Sequence, residues 1–177
     1  ETTILDAQHT NRVITVENCS NVTISDLTIT GGDAYYDYGN QVGGGMYLIN
    51  SNIILNNLMI TENFATVGGG GIYIGDNSNS IFSHITVTNN TTDFHGGGIY
   101  IGNNSNSIFS HITVAENFAE FRGAGIYVTY ADPIMNHVTI SDNILTQSPP
   151  GNSYSNGGGG IAIFHSELIM TNAIING

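Results

Sequence analysis

Short apolar segments alternate with polar, glycine-rich turns along the chain, and this alternation repeats at a fixed interval. The segment GIYIGDNSNSIFSHITV, residues 71–87, recurs 27 residues later as GIYIGNNSNSIFSHITV, residues 98–114, with the single change of Asp76 to Asn103. Each unit holds three apolar segments, which read GGGIYI, IFSH and ITV in the second copy. Within them apolar and polar residues alternate, which predicts strands with one buried face. No stretch keeps the 3.6-residue apolar period of a helix over three turns.

Self-similarity at this period is typical of a solenoid. A strand of four or five residues with one buried face is not stable alone, so each unit must stack on the next, with equivalent residues about 4.8 Å apart. Three short strands per unit predict an all-β fold, a right-handed parallel β-helix of about six coils of roughly 25–35 residues. A propeller blade would need four strands and about 40 residues. The L-x-x-L-x-L pattern of leucine-rich repeats is absent.

Stacking predicts columns of equivalent residues along the solenoid. Two neighbouring apolar columns should form part of the core: Leu27, Leu58, Ile85, Ile112 and Val138, and Ile29, Ile60, Val87, Val114 and Ile140. A structural asparagine column follows them, made of Asn63, Asn90, Asn117 and Asn143. Stacked side-chain amides can hydrogen-bond along the column and satisfy polar groups that the turn buries. The glycine runs mark turns that need either a positive φ or a close approach of the backbone.

Two insertions lengthen the same turn of the repeat, DAYYDYGNQ at 33–41 and TQSPPGNSYSN at 146–156. Insertions in a solenoid form loops on one edge, which is often the binding edge. Neither end of the chain shows a polar cap, although an exposed solenoid end invites pairing with another chain. We therefore expect one β-helix domain over residues 1–177 that is part of a longer chain, or that associates end-to-end or laterally with other subunits.

The charge of the chain disfavours some classes of partner. Fourteen acids and two arginines give a net charge of −12, so binding to nucleic acids or to anionic membrane surfaces is not expected. No apolar run approaches eighteen residues, and no membrane insertion is expected in this segment. Uncharged Asn, Ser, Thr and Tyr must cover most of the surface, which is typical of extracellular or cell-surface proteins. Cys19 is the only cysteine and is expected to fill a small apolar space.

The repeat unit x-I-x-L-T-I-x-x-N-x-A, followed by GGGIY and preceded by the opening TILDA at 3–7, resembles the right-handed parallel β-helix repeats of the pectate-lyase-like superfamily. It is most similar to the repeat regions of large bacterial and archaeal surface proteins, including the polymorphic outer-membrane proteins. The resemblance implies a non-catalytic surface stalk, adhesin, or sheath or filament subunit, with glycans or other surface-protein subunits as partners. The superfamily also includes polysaccharide lyases and hydrolases, so a polysaccharide-processing enzyme or a carbohydrate-binding module is the alternative.

A column of tyrosines is the main candidate for ligand binding. Each tyrosine lies between two inward apolar residues, so its ring should point out of the sheet. Such a column stabilises a solenoid by stacking, and it also offers apolar rings and hydroxyl groups to sugars or to a partner protein. Aromatic residues of the neighbouring loops would enlarge this surface. The candidates are Tyr47, Tyr73, Tyr100 and Tyr127 in the column and Phe94, Phe121, Tyr35, Tyr36, Tyr38 and Tyr154 in the loops.

No catalytic residue is expected in a stalk, but the enzyme alternative has one candidate site. The resemblance implies that a polysaccharide lyase would use an Arg or Lys base beside acidic residues that hold calcium. Residues of this kind lie on two neighbouring coils: Asp93, His95, Glu120 and Arg122. A solvated surface position is the other interpretation of Arg122. No cofactor is otherwise expected; calcium at the acidic turns near Asp76, Glu116 and Asp142 is the one alternative, without a standard calcium-binding loop.

A column of histidines has two interpretations. The residues His84, His111 and His137 would follow one another at the coil spacing and could bind a metal ion. Other coils hold Asp26, Asn57 and Asn172 at the equivalent position. A position that accepts Asp, Asn and His is more typical of a polar turn.

Threonine pairs suggest a third class of function. Thr28-x-Thr30, Thr86-x-Thr88 and Thr139-x-Ser141 resemble the outward arrays of ice-binding solenoids. Met59 and Ala115 interrupt these arrays, and threonine is in any case favoured at exposed strand positions. Ice binding is therefore the least favoured of the three functions.

Overall fold

The chain forms a parallel β-solenoid. A computed structural model describes residues 3–35, 39–146 and 157–176. Within these ranges it contains strands and turns and no helix. The strands form three sheets, as the three apolar segments of each repeat predict. The strands make about five turns of the solenoid, close to the six coils that the sequence predicts.

Sheets A, B and C run along the solenoid, and the neighbouring strands of each sheet pair in parallel. Sheet A is made of β1 Thr3–Asp6, β3 Ser20–Thr30, β5 Asn52–Thr61, β8 Ile81–Thr88, β11 Ile108–Ala115, β14 Ile134–Ser141 and β17 Ile169–Ile175. Sheet B is made of β2 Ile14–Glu17, β4 Met46–Ile49, β7 Ile72–Gly75, β10 Ile99–Gly102, β13 Ile126–Thr129 and β16 Ile161–Phe164. Sheet C is made of β6 Phe64–Ala65, β9 Thr91–Thr92, β12 Phe118–Ala119 and β15 Ile144–Leu145.

The register of the sheets follows the repeat. Tyr73 pairs with Tyr100 in sheet B, and Ile85 pairs with Ile112 in sheet A, so residues 27 positions apart are direct neighbours. The two predicted core columns lie in register and are buried, except that Leu27 is only partly buried on β3. Phe82 and Phe109 add a stacked pair inside the core, with ring centroids 4.5 Å apart.

Single residues with positive φ form the corners of the coil. One corner bends sheet A in the middle of its strands, at Asp26, Asn57, His84, His111, His137 and Asn172, with φ between 51° and 60°. Asn, Asp and His tolerate this left-handed conformation better than other residues with a side chain. The histidine column is therefore a backbone corner. The same reason explains the one change between the two identical segments, because Asp76 (φ 50°) and Asn103 (φ 53°) share another corner.

The asparagine column fills the corner between sheets A and C. Asn90 is fully buried, and its Nδ2 lies 2.9 Å from the carbonyl oxygens of both Ile60 and Thr88 and 3.0 Å from Asn117 Oδ1. Its Oδ1 accepts hydrogen bonds from the backbone N–H and the side-chain amide of Asn63, at 3.1 and 2.9 Å. Asn117 and Asn143 repeat these bonds in the next coils. Each amide thus joins its own turn to the two neighbouring coils.

Both proposed reasons for the glycine runs apply, at different positions. Gly69 has a φ of +63°, which a residue with a side chain rarely adopts. Gly70 has no positive φ, but a Cβ there would collide with the carbonyl oxygen of Thr91 and would lie 2.7 Å from that of Gly97. The turn between sheets C and B is therefore packed backbone against backbone.

Candidate functional site

The four tyrosines form one column on the outer side of sheet B, in which Tyr47, Tyr73 and Tyr100 stack and the Tyr127 ring is tilted by 47° from that of Tyr100. The ring centroids of Tyr47 and Tyr73 are 5.6 Å apart, those of Tyr73 and Tyr100 4.9 Å, and those of Tyr100 and Tyr127 5.0 Å. Phe164 extends the column at 5.6 Å from Tyr127. Because the stacked rings of Tyr47, Tyr73 and Tyr100 cover one another's faces, this part of the column presents ring edges and hydroxyl groups rather than ring faces.

The tyrosine rings lie close to the sheet. A Cβ at Gly75 would be 2.7 Å from Tyr73 Cε1, and one at Gly68 would be 2.8 Å from Tyr100 Cδ2, so these glycines leave room for the rings. Only 9 % of Tyr47 and 6 % of Tyr127 are exposed, whereas Tyr73 and Tyr100 are partly exposed. Burial raises the pKa of Tyr73 to about 12, with a smaller contribution from Asp76, and it also raises the pKa of Tyr100. Both hydroxyl groups therefore stay protonated and can donate hydrogen bonds at neutral pH.

The two arginines of the chain flank the aromatic column. The guanidinium carbon of Arg12 lies 4.6 Å from the centroid of the Tyr47 ring, and that of Arg122 lies 4.5 Å from the Phe164 ring. Arg12 also donates to the carbonyl oxygens of Asn40 and Val42, both at 2.8 Å. Each guanidinium covers an aromatic ring, an arrangement that stabilises both groups.

The structure brings the candidate catalytic residues together on the turns between sheets C and B. His95 and Arg122 pair as a parallel bridge on neighbouring coils, and burial, together with a smaller contribution from the charge of Glu120, raises the pKa of Asp93. We call Asp93, His95, Glu120 and Arg122 the turn-edge cluster. In the described part of the chain the guanidinium of Arg122 forms no ion pair.

Aromatic residues surround the turn-edge cluster. Phe94 and Phe121 stack with centroids 4.9 Å apart and an angle of 10°, and Phe94 is exposed. The ring of His95 stacks on that of Tyr127 at 4.7 Å and meets the Phe94 and Phe121 rings edge-on. The cluster and the tyrosine column therefore form one continuous surface.

Burial controls protonation in the turn-edge cluster. Burial raises the pKa of Asp93, and the charge of Glu120 contributes to this increase. Burial also lowers the pKa of His95 to about 4, and the charge of Arg122 contributes to this decrease. Among the described residues, the buried Nδ1 of His95 has no hydrogen-bond partner. His95 is therefore neutral at physiological pH, and the cluster can hold a proton on Asp93 more easily than an exposed carboxylate would.

Acid should destabilise the protein through His95. In the unfolded chain the imidazole of His95 takes up a proton near its ordinary pKa of 6.5, whereas in the folded protein its pKa is about 4. Between these two pH values the unfolded state therefore binds more protons than the folded state. Stability should fall as the pH decreases through this window and level off below it. Because His95 is partly exposed, we expect a loss of about 1–2 kcal/mol. Urea unfolding of wild type and His95→Gln at pH 7 and pH 4 measures it, and equal pH dependence of the two proteins would contradict it.

The structure describes one of the remaining loop aromatic residues. Tyr35 is half-exposed at the first insertion. Tyr36, Tyr38 and Tyr154 lie outside the described residues, so their predicted part in the surface stays a prediction.

The sequence analysis did not assign Arg12 and Phe164 to the aromatic surface. The signal was present for Phe164, which follows the IAI strand of the last coil.

The histidine and threonine columns lie on the outer face of sheet A. The rings of His84, His111 and His137 stack in parallel at 4.9 and 4.7 Å. Stacked rings direct their nitrogen atoms side by side rather than toward a common point. Among the described residues, no group of three His, Cys, Asp or Glu side chains is arranged to hold a metal ion. Thr86 pairs with Thr113 on one side and with Met59 on the other.

Comparison with known families agrees with this architecture. The family model for a right-handed β-helix region matches residues 12–177, and the chain belongs to this family. Neither the curated proteins nor the solved structures contain a match to the chain. In the part of the chain that is described, no helix is long and apolar enough to cross a membrane.

Proposed function

We propose that the chain is a non-catalytic, extracellular β-helix segment that serves as a surface stalk, an adhesin, or a sheath or filament subunit. The observation that carries this proposal is the continuous stacking of buried polar columns through successive coils. The asparagine column joins four coils, and buried serines join them again, with Ser51 N bonded to Ser78 Oγ and Ser78 N to Ser105 Oγ. Bonds of this kind resist bending and sliding between coils, as a rigid rod requires.

Repetition supports an adhesive role for this rod. Successive coils present equivalent groups at about the same place, as the register of Tyr47, Tyr73, Tyr100 and Tyr127 shows, so a polymeric partner can meet several equivalent contacts at once. The sparse charge, the surface of Asn, Ser, Thr and Tyr, and the resemblance to repeat regions of microbial surface proteins support an extracellular location. Antibodies raised against the chain should label intact cells of the source organism. Labelling only after the cells are permeabilised would contradict this part of the proposal.

The proposed partner of the tyrosine column is a glycan that hydrogen-bonds to its hydroxyl edge. Tyr73→Phe/Tyr100→Phe removes two hydroxyl groups and leaves the stacked rings in place. We expect this variant to unfold like wild type and to bind the preferred glycan about 5- to 20-fold more weakly, as two lost hydrogen bonds imply. Glycan-array screening followed by titration calorimetry measures this. Unchanged affinity would exclude the hydroxyl edge, and Phe94→Ala would then test the exposed turn-edge aromatic residue.

A polysaccharide-processing enzyme is the second candidate function. It is favoured by one observation, the convergence of Asp93, His95, Glu120 and Arg122 on two neighbouring coils. A lyase would release unsaturated uronides from anionic polysaccharides, which absorb in the ultraviolet. We expect no such product from wild type. Product formation that is abolished in Arg122→Gln, a variant without the charge, would support the enzyme and contradict the non-catalytic role.

A further inference from the structure

Several asparagines of the chain lie in the acceptor sequence for asparagine-linked glycans, N-x-S/T. They are Asn18, Asn21, Asn89, Asn90 and Asn103. The sequence alone gives these sites equal standing. The folded protein can carry a bulky, hydrated glycan only where the asparagine is exposed and its amide is not needed elsewhere, so the surroundings of each side chain separate the sites.

Asn90 cannot carry a glycan in the folded chain. It is fully buried, and its Nδ2 lies within hydrogen-bond distance of the carbonyl oxygens of Ile60 and Thr88 and of Asn117 Oδ1. A glycan replaces one of the two hydrogens of the side-chain amide and requires open solvent around it. Modification of Asn90 would therefore break the asparagine column and prevent folding.

Asn18 and Asn103 use their side chains in contacts between coils. The Nδ2 of Asn103 donates to Asp76 Oδ1 at 2.9 Å, and the Oδ1 of Asn18 accepts from Asn50 Nδ2 at 3.2 Å. Both asparagines are exposed, but a glycan on either would crowd or displace this contact. The other two sites carry no such cost.

Asn89 is exposed at the corner between sheets A and C, where its φ is 55°. Among the described residues its side-chain amide has no hydrogen-bond partner. An open hollow lies beside it, with Phe64 and Thr91 in the wall, and leaves room for the first sugar. Asn89 can therefore be modified without loss of any bond that holds the coils together.

Asn21 lies in a β-bulge on β3. The register between β3 and β5 shifts between Ser20 and Thr23, so that β3 has one residue more than β5 over this interval. Val22 packs against the core, whereas Asn21 is exposed with a φ of 59°. Bulges redirect a side chain away from the regular pleat and are features of function rather than defects. In the part of the chain that is described, the Asn21 amide also has no hydrogen-bond partner.

We propose that Asn21 and Asn89 are the acceptors of asparagine-linked glycans in this protein. The donor is an oligosaccharide on a polyprenyl phosphate or pyrophosphate, and an oligosaccharyltransferase carries out the transfer. The side-chain Nδ2 attacks C1 of the first sugar, and the new C–N bond replaces the bond between C1 and the phosphate oxygen. The lipid phosphate leaves, and the amide proton passes to a base of the transferase.

This inference rests on the proposed extracellular location, because this transfer acts on chains that are being exported. Neither acceptor lies on sheet B, so attached glycans would leave the tyrosine column free to bind its partner. Labelling of intact cells reports a failure of the proposed location. Failure of this inference would instead appear as unmodified Asn21 and Asn89 in protein that has been secreted.

Secretion of the full chain from a eukaryotic host, with an added signal peptide, tests both sites. A peptide N-glycosidase removes each glycan and converts its asparagine to aspartate, and peptide mass spectrometry locates the change. Wild type should show the conversion at Asn21 and Asn89 in most secreted molecules and at Asn90 in none. Thr23→Val destroys the acceptor sequence of Asn21 and should remove the first glycan only.

Two neighbouring threonines provide a matched pair of variants. Thr91→Val removes the acceptor sequence of Asn89 but keeps that of Asn90, so the secreted protein should lose one glycan. Thr92→Ala removes the acceptor sequence of Asn90 alone, and the protein should keep both glycans. Alanine suits this buried position, because Ala119 pairs with Thr92 from the next coil.

Three results would overturn the proposal. These are secreted wild type with Asn21 or Asn89 unmodified, a glycan on Asn90 in folded secreted protein, and a Thr91→Val variant that keeps both glycans. Circular dichroism shows that the secreted proteins are folded. Should secretion be poor, the chains retained in the cell are mapped instead. They should be modified at Asn21 and Asn89 and enriched in glycan at Asn90, and retained chains without glycan at the first two sites would contradict the proposal.

Discussion

Replacing Asn90 by alanine is expected to lower the free energy of unfolding by about 3–5 kcal/mol. Asn90 is fully buried, and its amide serves Asn63, Asn117 and two backbone carbonyl groups. Alanine removes all these partners at once and leaves the backbone N–H of Asn63 without its acceptor. A buried polar group without a partner loses its hydration and gains nothing in return. Urea unfolding at pH 7 measures the effect.

The neighbouring residue provides a matched control. Asn89 is exposed and has a φ of 55°, a conformation that glycine adopts without strain. Asn89→Gly should therefore change stability by no more than about 0.5 kcal/mol. If Asn90→Ala were as mild as Asn89→Gly, the asparagine column would not hold the coils together, and the proposed rigidity would lose its basis.

Gly70→Ala is expected to be as harmful, with a loss of at least about 3 kcal/mol or a failure to fold. The added methyl group would meet the carbonyl oxygens of Thr91 and Gly97. Both belong to the backbone of the next coil, so neither can turn away as a flexible side chain would. To make room, the coils would have to separate and break the bond from Gly70 N–H to the Gly96 carbonyl. Thermal and urea unfolding measure the loss.

The protein contains its own comparison for this glycine position. Ala124 occupies the equivalent position in the GAGIYV turn and is fully buried, so the structure accommodates a methyl group there. Ala124→Gly should cost only about 1 kcal/mol, from the lost methyl group and the added backbone freedom. If Gly70→Ala were tolerated equally well, close packing of the backbone could not be the reason for the glycines.

The repeat predicted the fold because a solenoid places equivalent residues in equivalent surroundings. The pairing of Ile85 with Ile112 and of Tyr73 with Tyr100 follows from the 27-residue offset alone. The sequence analysis favoured a polar turn at the histidine column, and the backbone conformation gives the physical reason. His84 and its equivalents adopt the left-handed conformation, for which Asp, Asn and His are interchangeable.

The properties of the candidate site were less predictable. Alternation correctly implied that the tyrosines lie outside sheet B, but it does not fix how a ring is oriented. Tyr73 and Tyr100 lie over glycines and stack on one another, so they present their edges and hydroxyl groups, and the faces of the apolar rings are covered. The stacking of Arg12 on Tyr47 depends on the path of the first insertion, where the carbonyl oxygen of Asn40 accepts a hydrogen bond from Arg12, and the regular repeat does not predict that path.

The exposed isoleucines on the outer face of sheet A were missed for a related reason; they are Ile54, Ile81, Ile108, Ile134 and Ile169. Ile81 is the first residue of an apolar segment, and an apolar residue in a strand is normally assigned to the core. Phe82, the next residue, occupies the core instead, and the pleat then directs Ile81 outward. The repeated order of an isoleucine followed by Phe or Met was the available signal, at Ile81, Ile108, Ile134 and Ile169.

The central claim is that residues 27 positions apart lie directly on one another in neighbouring coils, so that the molecule is a stack of near-identical layers. A crystal structure tests it most directly, through the distance between the rings of Tyr73 and Tyr100. The account predicts ring centroids 4.9 Å apart in a stacked arrangement, with the side-chain amides of Asn90 and Asn117 hydrogen-bonded on the same two coils. Rings more than about two coil spacings apart, or on different sides of the molecule, would contradict the stack and every column that depends on it.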